Sequence, residues 1–203
     1  MEISPFTRII LGLSLDNMPG RNIVKRYIGG GFYHVYNRGV DKRAIFMDDK
    51  DYKKFMKFLA ESLKKTNVTL LCFVLMPNHF HLLIKQRESR DLEKMMRSLL
   101  TRYVLYFNHR HDRSGRLFQG TYRARLIEDN TDLICTSAYI HNNPRKDNPR
   151  IILSEYPHSS YMSYVEAIKG YDFVDTTILN SALTGEAYIN FVDRMLPNEV
   201  DLG

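Results

Sequence analysis

Apolar and polar positions along the chain switch between two periods, and each switch marks an element. Residues Phe32 to Asn37 read as an extended, aromatic-rich strand after a glycine-bearing lead-in. In "DDKDYKKFMKFLAESLKKT" (48–66), Tyr52, Phe55, Met56, Leu59 and Leu63 recur at helical spacing with lysines between them, and Asp48 or Asp49 is placed to cap the start. "VTLLCFVLMP" (68–77) is almost continuously apolar and branched, as a buried strand is. Pro77-Asn78 supplies turn chemistry, so "HFHLLIKQ" (79–86) returns as the second arm of a hairpin. "DLEKMMRSLLTRYVLYFNHRH" (91–111) is an amphipathic helix. "RSGRLFQGTYRARLIED" (113–129) predicts a turn running into a strand. "NTDLICTSAYIHNNPR" (130–145) predicts a helix capped by Asn130 or Thr131 and ended by Pro144. Beyond it lie "YPHSSYMSYVEAIKG" (156–170) and a helix-like piece around 184–196.

From 32 to 145 the order is therefore strand, helix, strand, strand, helix, strand, helix. That is the ferredoxin-like or RRM-like α+β order with one helix added. It predicts an antiparallel sheet with two helices on one face, the other face being left for a ligand or the extra helix. The expected organisation is an N-terminal extension over 1–30, a catalytic domain over 31–150 and a helical C-terminal extension over 151–203. Residues 1–17 differ in character from the rest of the chain, which makes Met18 a candidate natural start.

Composition narrows the class. A chain of 203 residues, 44% hydrophobic, can bury a sizeable core. No apolar run is long enough for a membrane-spanning helix, and "RIILGLSL" (8–15) lacks a following signal-peptidase pattern. Two distant cysteines exclude a disulfide framework and a four-cysteine zinc site, so a reduced, cytoplasmic protein is expected. A formal charge of +6 favours an anionic partner, nucleic acid first.

The candidate chemistry sits in "FVLMPNHFHLLI" (73–84). On a strand, residues i and i+2 share a face, so His79 and His81 project together while Phe80 enters the opposite layer. Two neutral imidazoles side by side suit a metal ion. The bland alternative is a pair of hydrogen-bonded histidines on a half-exposed strand. The chain carries its own control: "HRH" at 109–111 ends a helix, where i and i+2 diverge by about 200°, and suits a helix C-terminus or a phosphate better than one shared ion. A second half-site is expected in "AYIHNNPR", where Tyr139 and Asn143 are i and i+4 on a helix. A phenol nucleophile beside an amide oxygen that ligates a hard cation is chemically coherent, and a core tyrosine is the competing reading. Asn142 offers a rival amide.

"MPNHFHLLI" followed some fifty residues on by "YIHNNP", with "GGFYHVYNRGVDKRAIF" and "PHSSY", resembles the REP-associated tyrosine transposases, a bacterial branch of the HUH single-strand DNA endonucleases. The resemblance spans roughly 18–165. It implies His79 and His81 as ligands of a divalent metal, Mg²⁺ or Mn²⁺, Asn143 as the third protein ligand and Tyr139 as the nucleophile. It implies single-stranded or hairpin DNA from repeated extragenic palindromes as substrate, a 5′-phosphotyrosine intermediate, and a monomer rather than the obligate dimer of the insertion-sequence relatives. Candidate DNA contacts are Arg38, Arg116, Arg123, Arg125, Arg145 and Lys146, with Arg123 and Arg125 sharing a strand face. Two rivals stand beside this reading: a non-catalytic nucleic-acid-binding module using "FYHVY" as a stacking platform, and a metal-dependent hydrolase.

Overall fold

A computed structural model describes residues 27–166, 171–183 and 185–195. The stretch 1–17 and the candidate start at Met18 lie outside the described residues. Four strands, β1 (Phe32–Arg38), β2 (Val68–Met76), β3 (His79–Gln86) and β4 (Arg123–Leu126), form one antiparallel sheet in the order β2-β3-β1-β4. Helices α1 (Asp49–Lys64) and α2 (Asp91–Arg110) cover one face, giving the expected ferredoxin-like α+β architecture.

Period-2 alternation explains the two faces. Phe80, Leu82 and Ile84 of β3 turn towards α1 and α2 and join Val35, Phe55, Leu59 and Leu99 in a fully buried core. Each large apolar side chain buried there stabilises the fold by about 1.5–3 kcal/mol. The Asp48 carboxylate accepts hydrogen bonds from Lys50 N and Asp51 N and so starts α1. Leu83 and the two histidines of β3 turn the other way. A bulge in β2, where Leu70 pairs with Ile84 and Cys72 with Leu83, sends both Leu71 and Cys72 to that second face.

The second face is closed by the extra helix α3 (Asn130–Asp147) and by α4 (Met162–Val165), α5 (Thr177–Asn180) and α6 (Gly185–Arg194). His141 in α3 is fully buried. It bonds Tyr188 Oη (2.7 Å) through Nδ1 and Ser160 Oγ (2.9 Å) through Nε2, tying α3 to the C-terminal segment. That segment also covers the outer edge of β2: Leu75 N donates to His158 O (2.8 Å) and Ser160 N to Phe73 O (3.0 Å). The "PHSSY" stretch thus occupies backbone groups that an exposed edge would offer to another strand.

Three local expectations are corrected. Asp129, not Asn130 or Thr131, caps α3, accepting from Asp132 N (2.8 Å). The strand expected within 113–129 is confined to Arg123–Leu126, because the preceding stretch is turn and irregular backbone. Pro144 does not end α3, which runs on to Asp147. Proline removes one helical bond, but side chains past it hold the last turn: Arg145 pairs with Asp193 of α6 (2.7 Å), and Lys146 folds back along α3 itself to the Tyr139 hydroxyl (3.0 Å).

Candidate active site

β1 and β3 are adjacent, with Tyr36 opposite His81 and His34 opposite Leu83. This register places His34, Tyr36, His79 and His81 on one face at the same end of the sheet. Their rings pack: His34 with Tyr36 at 5.0 Å between centroids, Tyr36 with His81 at 5.6 Å, His34 with His81 at 5.0 Å. α3 crosses this face and lowers Tyr139 onto it. The phenol ring stands edge-on to His81 (5.7 Å, 89°) and to His34 (5.8 Å, 75°). Tyr139 is 7% exposed and belongs to the second-face core, and its ring meets the imidazoles edge-on from there. Lys146, two turns further along α3, donates to the Tyr139 hydroxyl at 3.0 Å and lies 4.1 Å from the ring centroid.

A cavity of about 640 Å³ opens between these elements, with His79, His81, Tyr139 and Asn143 in its wall and Lys42, Gln119, Arg38 and Arg123 around them. Two turns beside it are locked together. Gly39 N donates to Asn78 O (2.8 Å), and a Cβ on Gly39 would fall 2.1 Å from Arg43 O, so only glycine permits the close folding of the 39–43 turn on itself. Asn78 in turn holds His79, its Oδ1 lying 2.6 Å from His79 Nδ1.

The imidazoles are held neutral. Burial lowers the pKa of His79, partly opposed by the Asn143 amide oxygen, which would accept from the protonated ring. Burial, with the charges of His34, His79 and Lys146, places His81 well below the ordinary histidine value. His34 is pushed down to about 3 by burial, then by Arg125 and Lys146. Neutral imidazole is the form that ligates metals.

One contact tests whether these residues fit a cation. The Asn78 amide nitrogen donates to Lys42 O (3.3 Å), which turns Asn78 Oδ1 to His79 Nδ1. The single proton of neutral His79 therefore sits on Nδ1, and Nε2 presents its lone pair. Asn143 Oδ1 lies 2.9 Å from that Nε2, while Asn143 Nδ2 is buried without a partner among the described residues. Turning the amide over would serve His79 and strand Oδ1 instead. Two electron-pair donors about 2.9 Å apart match the cis edge of an octahedron with arms of about 2.0–2.1 Å. Among the described residues no three His, Cys, Asp or Glu side chains cluster as metal ligands. His79, His81 and Asn143 fit a hard divalent ion.

The remaining sequence-selected residues divide. Asn142 is turned away from the histidines, donating to Val192 O and to Met195 O (2.8 Å). Arg38 and Arg123 line the cavity, Arg38 bonding Gln119 Oε1 at 2.5 Å. Arg116 is exposed and absent from the cavity wall. Arg125, expected to track phosphate, is instead largely covered and engaged: its guanidinium takes both oxygens of Asp132 (2.7 and 2.9 Å) and Thr136 Oγ1 (2.6 Å). Arg145 is engaged by Asp193 and the Asn142 Oδ1 (3.2 Å). Both arginines serve the docking of α3 rather than the cavity.

His34 escaped the sequence reading altogether. It lies on β1, forty-seven residues from His81, and its ring meets His81 only through the β1–β3 register. The available signal was its parity: Phe32, His34 and Tyr36 alternate onto one face of "FYHVY".

The elements define an α+β fold built on a four-stranded antiparallel sheet. Residues 30–143 match the family model described as "Transposase IS200 like". The chain belongs to the IS200-like transposase family, and its enzymatic character follows from that membership. Its fold is shared with a REP-associated tyrosine transposase solved bound to a REP hairpin, at 18% identity and a TM-score of 0.57, covering 79% of this chain and 93% of that one. A Deinococcus radiodurans protein described as a transposase aligns at 17% identity over 56% of this chain and 88% of its own, with a TM-score of 0.41. No curated protein matches the chain.

Proposed function

We propose that this transposase cleaves and rejoins single-stranded DNA through Tyr139, on hairpin substrates of the kind bound by the REP-associated relative. The observation that carries the reading is the meeting of Tyr139 with His81 and Lys146 at the wall of one cavity that also holds His79 and Asn143.

His79, His81 and Asn143 would hold Mg²⁺ or Mn²⁺, which when bound supplies positive charge to a non-bridging oxygen of the scissile phosphate. The Tyr139 oxygen attacks phosphorus: the Oη–P bond forms and the P–O3′ bond breaks. The phenol proton leaves to solvent in the cavity, and the departing 3′-oxygen takes up a proton. An ordinary tyrosine titrates near 10. Lys146, already at the hydroxyl, offers a positive charge to the phenolate as it develops. The enzyme retains the 5′-phosphate as a phosphotyrosine diester, so a second 3′-hydroxyl can reverse the step without an outside energy source. Arg38 and Arg123 line the approach for the backbone of an unpaired strand. The covering of the β2 edge supports a monomer as the working unit.

Labelled hairpin DNA with Mn²⁺ tests this. A protein–DNA adduct that survives boiling in detergent, and is absent in Tyr139→Phe, is the expected outcome. Cleavage that persists in Tyr139→Phe without an adduct would identify a hydrolase, and binding without cleavage a recognition module.

A further inference from the structure

The His34–His81 contact takes no part in the proposed cleavage chemistry. His34 Nε2 lies 2.9 Å from His81 Nδ1, with both residues buried, at 0% and 7% exposure. The rings are nearly parallel, at 20°, and Tyr36 packs against both. His34 Nδ1 is buried with no hydrogen-bond partner among the described residues. Compare His141, equally buried, whose two ring nitrogens are both bonded. An orphaned ring nitrogen in a strand interior is costly, and leucine or phenylalanine would avoid that cost. A histidine kept at such a position needs a reason other than packing.

Resting on the reading that His81 is a metal ligand, we infer that His34 is the positioning residue for His81: it engages Nδ1 and so leaves Nε2 as the donor to the cation. A ring nitrogen cannot both bond His34 and coordinate a metal. With His81 coordinating through Nε2, its one proton lies on Nδ1 and is donated to the lone pair of His34 Nε2, and His34 carries its own proton on Nδ1. The contact thereby selects one of the two His81 tautomers and fixes the ring plane, which Tyr36 further confines from the side. Outer partners of this kind set ligand orientation and basicity in metal sites generally. His79 is served in the same manner by Asn78, so each imidazole of the pair has its own Nδ1 partner, one an amide and one a third histidine.

The test is Mn²⁺ binding to the full chain by calorimetry, beside thermal unfolding of the metal-free protein. His34→Leu should bind Mn²⁺ roughly 10- to 100-fold more weakly. Its metal-free melting temperature should equal or exceed that of the unaltered protein. His34→Gln, whose side-chain oxygen reaches the position of the lost Nε2, should restore affinity to within a few-fold. Unchanged affinity in His34→Leu, beside clear loss in His81→Ala, overturns the inference alone. Unchanged affinity in His81→Ala overturns the metal-site reading on which it rests. Equal weakening in both His34 variants, in step with lost thermal stability, would reduce His34 to a packing residue and also overturns the inference. Should His34→Leu not fold, long-range proton–nitrogen spectra of the unaltered Zn²⁺-loaded protein decide. They should show the His81 proton on Nδ1; a proton on Nε2 overturns the assignment.

Discussion

The same tripeptide pattern, H-x-H, occurs twice in this protein and does two different things. At 79–81 it lies on β3, where a period of two keeps both rings on one face with centroids 5.1 Å apart. At 109–111 it ends α2, where the helical period sends His109 to solvent and His111 inward to Asp51. There His111 Nε2 lies 3.0 Å from the carboxylate, and Arg110 bonds both Asp51 (2.5 Å) and Asp48. Asp51 is fully buried, and Met47 N donates to it as well (2.9 Å). One pair gathers electron donors around an opening; the other closes a helix end over a buried carboxylate. Backbone period, not residue identity, decides which.

Removing each pair in turn should break this comparison most sharply. His79→Ala or His81→Ala is expected to lower adduct formation by about 10³-fold, or roughly 4 kcal/mol of transition-state stabilisation. His111→Ala should do the reverse. It leaves a buried carboxylate short of a partner, so stability should fall by about 1–3 kcal/mol in urea unfolding with Mn²⁺ affinity unchanged. Equal effects of both substitutions on the chemistry would dissolve the distinction.

Acid separates the histidines by burial. His34 and His141 are both pushed down to about 3, chiefly by burial. Below about pH 6.5 the unfolded chain takes up protons at these rings and the folded chain does not, so stability is full above that pH and falls as pH drops towards 3. At pH 5 the loss should be on the order of 2 kcal/mol per ring. Unfolding midpoints followed from pH 7.5 to 5 check this, and His141→Gln should flatten the slope by one ring's share. A slope that persists unchanged in that variant would rule His141 out as a contributor.

The smallest and most discriminating effect lies within "NN". Asn143→Ala should weaken Mn²⁺ binding by about tenfold without loss of stability, since it removes a buried amide with an unpartnered atom. Asn142→Ala should cost about 1–2 kcal/mol of stability, because its amide nitrogen serves Val192 O and Met195 O, with metal affinity unaltered. An exchange of the two outcomes would move the third ligand by one residue.

How much of this is legible in the sequence depends on which interactions are local. Strand and helix periods are local, so the order of elements, the hairpin at Pro77-Asn78 and the shared face of His79 and His81 can be read directly from the chain. The helical spacing of Tyr139 and Asn143 is equally readable, because it depends only on the turn of α3. His34 is not, since its meeting with His81 depends on how β1 registers against β3. Arg125 reads as a cation on an open strand face until α3 brings Asp132 and Thr136 beside it. Pro144 reads as a stop only while the pairing of Arg145 with Asp193 across to α6 is unknown. The edge-covering role of "PHSSY" likewise needs β2 to be in place before it has anything to cover.

The most direct measurement is tandem mass spectrometry of the protease-digested protein after incubation with hairpin DNA and Mn²⁺. A nucleotide 5′-phosphate attached to the peptide carrying Tyr139, and fragmenting at that residue, is the predicted result. Attachment to another residue, such as Tyr36 in the same cavity, or cleaved DNA with no modified peptide, would contradict it.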